Sequence, residues 1–279
     1  MGNLQEIKQQ ISDGNAAAAL ASAKAAVRGA PADPSCRSAL FSLFAIHGEW
    51  ARAAEQLENA MQLGADPGMA VYLIILKAIS GRDEVLNGLA DPHFPAGSGV
   101  PSWHPEWKTA LEALYGGSPE LLAAAAAERA DALNTITGFN EEYEFEGFRN
   151  CDTRLCGVFE GIFEGKYSWL PFEQVLRISV PSRPEMLHDL LWLPVMIHLR
   201  KGEPLKGYLF STYPGTSGRN EDAARLARDT SWDERFDTVD LGFGAQLFAL
   251  GAEVVPVFSL GQCCLENLPD TPPDSPVDP

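Results

Sequence analysis

Four segments decide the fold of this chain: Gly147-Phe-Arg-Asn-Cys-Asp152, Tyr167-Ser-Trp-Leu-Pro-Phe172, Asp189-Leu-Leu-Trp-Leu-Pro194 and Ala224-Arg-Leu-Ala-Arg-Asp-Thr-Ser-Trp232. Aromatic residues, prolines and paired charges crowd in them, and they hold three of the six tryptophans of the chain. A tryptophan buries roughly 150–250 Å² and needs a partner for its indole N–H when it is buried. The stretch 147–232 therefore predicts a compact, non-repetitive core.

The composition is that of an ordinary globular protein. The chain has 279 residues, of which 46% are hydrophobic, and this length is enough for about two domains with sizeable cores. Its formal net charge is −17 and its sequence pI is about 4.6. The acidic balance argues against nucleic acid or anionic lipid as a partner, because both select basic surfaces. A positively charged protein or peptide is the better candidate.

The sequence predicts a soluble, cytoplasmic protein with reduced thiols. The start of the chain lacks the basic segment and apolar run of a signal peptide, and no apolar run approaches the roughly 20 residues that cross a bilayer. Cys263 and Cys264 are neighbours, and Cys151-x4-Cys156 lacks the two further ligands of a zinc site. We therefore expect structural thiols. A metal-binding or redox role stays open as the alternative.

Residues 1–135 have the pattern of a helical repeat. The glycine turns at Gly14 and Gly48 are 34 residues apart, and this period is typical of solenoids built from helix pairs. Asp33-Pro34 and Asp66-Pro67 mark helix starts, because aspartate caps free N–H groups and proline is tolerated in the first helical turn. We predict antiparallel helical hairpins similar to tetratricopeptide repeats.

The chain changes character after the repeat. Residues 136–150 alternate glutamate with aromatic residues and predict an exposed linker. In residues 151–267 short β-rich runs alternate with turn signals, which predicts a small antiparallel α+β domain with a hairpin formed by 241–250 and 253–260. Residues 268–279 are rich in proline and are expected to be disordered. The whole chain is therefore predicted to have an α+β fold.

Five motifs occur in order along residues 147–246: Phe148-Arg-x-x-Asp152-x-Arg154, Tyr167-x-Trp169-x-Pro171-Phe172, Asp189-Leu-x-Trp192-x-Pro194, Tyr213-Pro-Gly-x-Ser217 and Arg225-Leu-x-Arg228-x-Thr230-x-Trp232. Together they resemble the ImpE/TagJ family of type VI secretion accessory proteins. The residues that carry the resemblance, and that are candidates for partner binding, are Asp152, Arg154, Trp169, Pro171, Phe172, Asp189, Trp192, Arg225, Arg228 and Trp232.

The resemblance implies a cytoplasmic, non-enzymatic adaptor without a cofactor or metal. Its implied partner is the N-terminal segment of the small subunit of the contractile sheath. The resemblance also implies a link to the AAA+ ATPase that disassembles contracted sheaths. Two binding modes stay open, a helix in a groove and a strand added to a sheet edge.

The residues themselves leave other functions open. The chain has no Gly-x-Ser-x-Gly elbow and no GxxxxGK[ST] phosphate loop. The alternative function is a small hydrolase or metal-dependent enzyme that uses Cys151, His188 or the glutamates of 141–146. A further alternative is a generic repeat scaffold that binds several proteins through its concave face.

Arg225 and Arg228 lie about one helical turn apart in the sequence, so a helix would place them on one face. They either clamp a carboxylate of a partner or form ion pairs with Asp189, Asp229 or Asp233 within their own fold, and we favour the ion pairs. The aromatic residues of the motifs are likewise expected to be core rather than a binding platform.

Overall fold

The protein has a helical part followed by a β-rich part. A computed structural model describes residues 2–266 of the 279-residue chain, and the proline-rich segment 268–279 lies outside the described residues. The α+β class is confirmed, because helices up to Asn134 are followed by mainly antiparallel strands. Within residues 2–266, none of the helices is long and apolar enough to cross a membrane.

Glycine turns precede helices α2 and α4, and polar side chains cap the starts of α2 and α3. Gly14 and Gly48 have φ of +80° and +71°, a conformation that lets the chain reverse without a steric penalty. The side chains of Asn15 and Asp33 accept backbone N–H groups of the following helices at 2.9 and 2.8 Å. The helices are α1 (Gly2–Ser12), α2 (Ala16–Gly29), α3 (Pro34–Ile46), α4 (Trp50–Gln62), α5 (Val71–Leu86), α6 (His104–Tyr115), α7 (Glu120–Asn134) and the short α8 (Asp222–Arg225).

Helix α3 connects the helical part to the β-rich part. Residues 39–46 are all buried, since α3 packs between α2, α4 and the 3₁₀ turn Leu187–Leu190. Phe41 on α3 stacks on Trp192 of the sheet with ring centroids 6.3 Å apart. One continuous hydrophobic core therefore includes residues of both parts.

The large sheet has eight strands in the order β2-β1-β13-β6-β7-β8-β4-β5, all antiparallel to their neighbours. Smaller sheets have the orders β12-β11-β3 and β10-β9. The strands are β1 (Thr137–Phe139), β2 (Glu144–Glu146), β3 (Phe148–Asn150), β4 (Val158–Phe163), β5 (Lys166–Pro171), β6 (Val175–Ser179), β7 (Trp192–Leu199), β8 (Leu205–Phe210), β9 (Thr230–Trp232), β10 (Gly242–Gly244), β11 (Leu247–Leu250), β12 (Glu253–Pro256) and β13 (Gln262–Leu265).

Two predictions about the β-rich part can be compared with these strands. The hairpin predicted for 241–250 and 253–260 is confirmed with shorter arms, β11 and β12, where Leu250 pairs with Glu253 and Gly251 has φ +62°; residues 242–244 pair with β9 instead. The segment 136–150, predicted as an exposed linker, contributes strands β1 to β3. Phe145 and Phe148 of this segment are buried, so it is built into the sheets.

Candidate functional site

A buried polar network joins helix α5 to the sheet. Arg82 donates from Nε and Nη2 to the two carboxylate oxygens of Glu160 on β4, each at 2.7 Å. Tyr167 and Gln246 donate to the same carboxylate at 2.7 and 2.9 Å, and Arg82 also donates to the carbonyl of Thr212 at 2.9 Å. Glu160 is only 1% exposed. Its charge is therefore compensated inside the fold, as a buried carboxylate requires.

The Asp152-x-Arg154 motif forms a turn in which its aspartate and its arginine bind each other. Asp152 is fully buried and accepts hydrogen bonds from the Arg154 backbone N–H and Nε, both at 2.9 Å, and from its Nη2 at 2.5 Å. The N–H of Gly242 donates to Asp152 Oδ2 at 2.8 Å. The carbonyl of Arg154 accepts the indole N–H of Trp107 at 3.0 Å. The motif thus ties helix α6 to strand β10.

The motif residues Trp169 of β5, Phe172 directly after it and Trp192 of β7 are core residues. Trp169, Phe172 and Trp192 are each at most 1% exposed. The indole N–H of Trp169 donates to the hydroxyl of Tyr167 at 2.9 Å, which joins it to the network around Glu160. Pro171, also buried, is the last residue of β5. These side chains offer no surface to a partner.

Asp189 and His188 lie in the 3₁₀ turn beneath helix α3. Asp189 Oδ2 accepts the backbone N–H groups of Glu185 and Met186, which precede the turn, at 3.0 and 2.7 Å. His188 Nδ1 lies 3.4 Å from Ser42 Oγ, and its Nε2 lies 4.0 Å from Asp189 Oδ1, which is too long for a hydrogen bond. Burial lowers the pKa of His188, and Asp189 opposes this effect. This buried serine, histidine and aspartate therefore lack the geometry of a catalytic triad.

Three of the cysteines, Cys151, Cys156 and Cys263, have thiols whose pKa is raised by burial. All five are free. Burial raises the pKa of Cys151 to about 11 and those of Cys156 and Cys263 to about 12, so these thiols are poor nucleophiles near neutral pH. Within residues 2–266 no group of three or more His, Cys, Asp and Glu side chains is placed to hold a metal ion.

Two cavities reach the surface near helix α5. A groove of about 820 Å³ runs along the outer face of this helix, and we call it the α5 groove. A smaller cavity of about 100 Å³ lies where Trp50, Arg82, Thr216 and Arg225 meet. The α5 groove is lined by Leu73, Ile74, Lys77, Ala78, Ser80, Gly81, Glu84, Val85, Ala90, Asp91, His93, Gly165, Lys166 and Tyr167.

Comparison with known proteins identifies the family. The family model described as ImpE protein matches residues 142–264. The type VI secretion system accessory component TagJ of Pseudomonas aeruginosa is 32% identical over 243 residues, which cover 86% of this chain and 84% of that protein. The chain belongs to the ImpE/TagJ family. The crystal structure of protein VPA1032 from Vibrio parahaemolyticus has the same fold, with a TM-score of 0.82, 22% identity, and coverage of 94% of this chain and 98% of that one.

In this ImpE/TagJ protein Arg228 caps the C-terminal end of helix α1, which is far from it in the sequence. Its Nη1 and Nη2 donate to the carbonyls of Ser12 and Ile11 at 2.9 and 2.6 Å. These carbonyls lie in the last turn of helix α1, and that of Ile11 also accepts the N–H of Gly14 at 3.0 Å. The cation interacts favourably with the negative end of the helix dipole. Ala227 has φ +52°, and this left-handed residue turns Arg228 away from the face of Arg225.

The predicted ion pairs of Arg225 and Arg228 with Asp189, Asp229 or Asp233 are wrong. Arg225 Nη1 instead lies 3.4 Å from Asp222 on the same short helix, and Arg228 binds carbonyls. Asp233 is paired locally with Arg235, and Asp189 caps its own turn. The reason is that helix α8 ends at Arg225, so the expected common helical face does not exist.

Trp232 is the exception among the aromatic motif residues of this family member. It is 38% exposed on strand β9, and its ring centroid lies 5.9 Å from that of Tyr213. The expectation that all the motif aromatics are core is therefore wrong at this position. Strand β9 pairs only with β10 in a two-stranded sheet.

Sequence reasoning missed Arg82, Glu160 and Gln246, which form the centre of the buried network. One signal was available, because Glu160 is the single charged residue in the otherwise apolar strand Val158–Phe163. A strand buried on both faces accommodates a carboxylate only when a cation and further donors are buried with it. The pattern does not say which cation, and Arg82 is 78 residues away.

Proposed function

We propose that this chain is a cytoplasmic, non-enzymatic adaptor of a type VI secretion system. It binds the N-terminal segment of the small subunit of the contractile sheath and links this subunit to the AAA+ ATPase that disassembles contracted sheaths. Membership of the ImpE/TagJ family supports this proposal, as does the identity with the accessory component TagJ.

The internal pairing of the buried acidic groups carries the non-enzymatic part of the proposal. Glu160 accepts from Arg82, Tyr167 and Gln246, and Asp152 accepts from Arg154 and from a backbone N–H. A general acid or base needs a free site for a substrate proton within hydrogen-bond reach. Because these carboxylates already accept hydrogen bonds from residues of their own fold, they favour partner binding over catalysis as the function of this protein.

The candidate catalytic residues of the alternative hydrolase, Cys151 and His188, lie in surroundings that disfavour catalysis. The raised pKa of Cys151 disfavours the thiolate, which is the nucleophilic form. His188 is packed against Tyr72 with ring centroids 4.1 Å apart. We therefore offer no second function.

Isothermal titration calorimetry with a peptide from the N-terminus of the small sheath subunit tests the proposal. We expect saturable heat with one peptide per chain, and no heat with a scrambled peptide of the same composition. A complex of the protein with the sheath subunit should also retain the ATPase on an affinity resin. Absence of heat together with absence of co-purification contradicts the adaptor function. Stoichiometric zinc in the purified protein would favour the enzyme instead.

A further inference from the structure

Helices cover only part of one face of the large sheet. Phe41 of α3 stacks on Trp192 at the start of β7. Alternate residues of a strand project from the same face, so Met196 and His198 of β7 share the face of Trp192. Both are partly exposed, whereas Trp192 is buried. Beyond the helices, this face of the sheet is therefore open to solvent.

A row of paired residues crosses the open part of this face. Residues that pair on neighbouring strands project from the same side of a sheet. At about 4.8 Å per strand the row is about 19 Å long, and each of its residues is at least partly exposed. We call this surface, from β2 to β8, the open sheet face. From β7 to β2 the paired residues of the row are His198, Arg177, Cys264, Phe139 and Glu144.

Opposite charges lie at opposite ends of the open sheet face. Glu144 and Glu146 are exposed on β2, and Arg177 and Lys206 are exposed on β6 and β8. Phe139, which is 41% exposed, lies between them. As the structure describes them, strands β6, β7 and β8 contain no carboxylate, and β1, β2 and β13 contain no lysine or arginine.

The neighbouring loops keep this separation of charge. Glu141 and Glu142 in the loop before β2 add to the negative end. In the loop after β7, Glu203 is accompanied by the two cations Arg200 and Lys201. The end of the face formed by β6, β7 and β8 therefore stays positive, in a chain whose net charge is −17.

The surface that complements this pattern is a second copy of the same face. A two-fold interface presents one patch from both subunits, so the patch must complement itself. An axis along β13 places β2 of one copy over β7 of the other, and β1 over β6. Glu144 then faces His198 beside Arg177, and Phe139 faces the Arg177 guanidinium, which favours a cation–π contact. An axis across the strands would instead place the glutamates of the two β2 strands opposite each other, and like charges disfavour that arrangement.

We propose that this protein forms a two-fold dimer through the open sheet face. The face is about 24 Å wide from β2 to β8, and four residues of a strand add about 13 Å of height. This patch is smaller than the roughly 800 Å² per partner of a standard interface, so the dimer is weak and forms at high protein concentration. The dimer does not depend on the proposed function, because both halves of the interface come from this chain.

Sedimentation velocity over a concentration series tests the dimer with two charge-reversal variants. Arg177→Glu places glutamates opposite each other across the interface, and Glu144→Lys does the same with cations. Each change should raise the dissociation constant of the dimer about tenfold or more. Lys8→Glu is the matched control, since Lys8 is exposed on α1 and the change of charge equals that of Arg177→Glu. Its dissociation constant should stay within about twofold of the wild type.

An equimolar mixture of the two variants separates contact from misfolding. In a mixed dimer, the new glutamate of one chain faces the new lysine of the other. At the second, symmetry-related contact, the native Arg177 and Glu144 face each other. The mixture should therefore dimerise about as tightly as the wild type, although each variant alone is weakened.

Cys264 provides an independent measurement, because it lies at the proposed two-fold axis. Sheets that pack face to face are about 10 Å apart, a distance that a short bismaleimide can span between two Cys264 thiols. The wild type should give a cross-linked dimer, and Cys264→Ser should not. A wild type that stays monomeric up to its highest soluble concentration overturns the dimer. Charge-reversal variants that dimerise like the wild type, or a Cys264→Ser variant that cross-links like it, overturn the assignment of the open sheet face.

Discussion

Arg82 of helix α5 and Glu160 of strand β4 form a bidentate ion pair in which both N–O distances are 2.7 Å. The two residues are 78 positions apart, and both are buried. The guanidinium of Arg82 also lies over the ring of Phe210, 4.0 Å from its centroid. One residue pair thus connects the helical part to the sheet electrostatically and by packing.

Replacing Arg82 by methionine should lower the free energy of unfolding by about 3–5 kcal/mol, because an uncompensated carboxylate remains buried. Replacing Glu160 by methionine should cost a similar amount. The loss of unfolding free energy in the double variant should be smaller than the sum of the two single losses by more than about 1 kcal/mol. Each single change leaves the other charge buried without its partner. Chemical denaturation of the four proteins measures this coupling, and additive effects would show that the two groups do not depend on each other.

Replacing Arg228 by alanine should destabilise the protein by about 1 kcal/mol, because two terminal carbonyls of α1 lose a charged donor. The effect should be local, with faster amide hydrogen exchange in α1 than in α3. Arg183→Ala is the control, since Arg183 is exposed and forms no ion pair within the described residues. Equal exchange rates in the two variants would argue that Arg228 does not hold α1.

Cys151, Cys156 and Cys263 should resist alkylation in the folded protein. Burial raises their pKa values to about 11, 12 and 12, so the thiolate fraction is small at about pH 8. Iodoacetamide labelling followed by peptide mass spectrometry should find them modified only after denaturation. A hyper-reactive Cys151 would instead revive the thiol-enzyme alternative.

The free energy of unfolding should fall as the pH is lowered, partly because of the protonation of His188. Burial lowers its pKa from the ordinary value of 6.5 in the folded state, although Asp189 opposes this. Below about pH 6.5 the unfolded chain therefore binds more protons than the folded chain. The stability that is present above this pH is lost as the pH falls through the pKa of His188 in the folded state. His188→Gln should lose less unfolding free energy between about pH 7 and pH 5 than the wild type. Urea denaturation at both pH values measures this, and equal losses would contradict it.

Local signals were sufficient for individual helix caps and turns. The aspartate at position 33 caps its helix as predicted, because the cap is formed with a residue only two positions away. The turn at Gly251 likewise joins two adjacent strands, and its glycine permits the positive φ. Such features depend on neighbouring residues, which the sequence displays directly.

Features that join distant segments could not be predicted from the sequence. Strand β13 lies between β1 and β6, although its residues are more than a hundred positions from β1 in the chain. The role of Arg228 depends on Ala227, a non-glycine residue with φ +52°, and a left-handed alanine has no sequence signal. The aromatic motif residues were expected to be core from their type alone, but the sequence does not show that Asp152 and Asp189 are buried as well.

In the proposed function, this protein works by binding a segment of the sheath subunit. Affinity pull-down with the full-length small sheath subunit and with a form that lacks its N-terminal segment tests the claim most directly. We expect the immobilised protein to retain the full-length subunit and not the truncated form. Equal retention of both forms, or of neither, would contradict it.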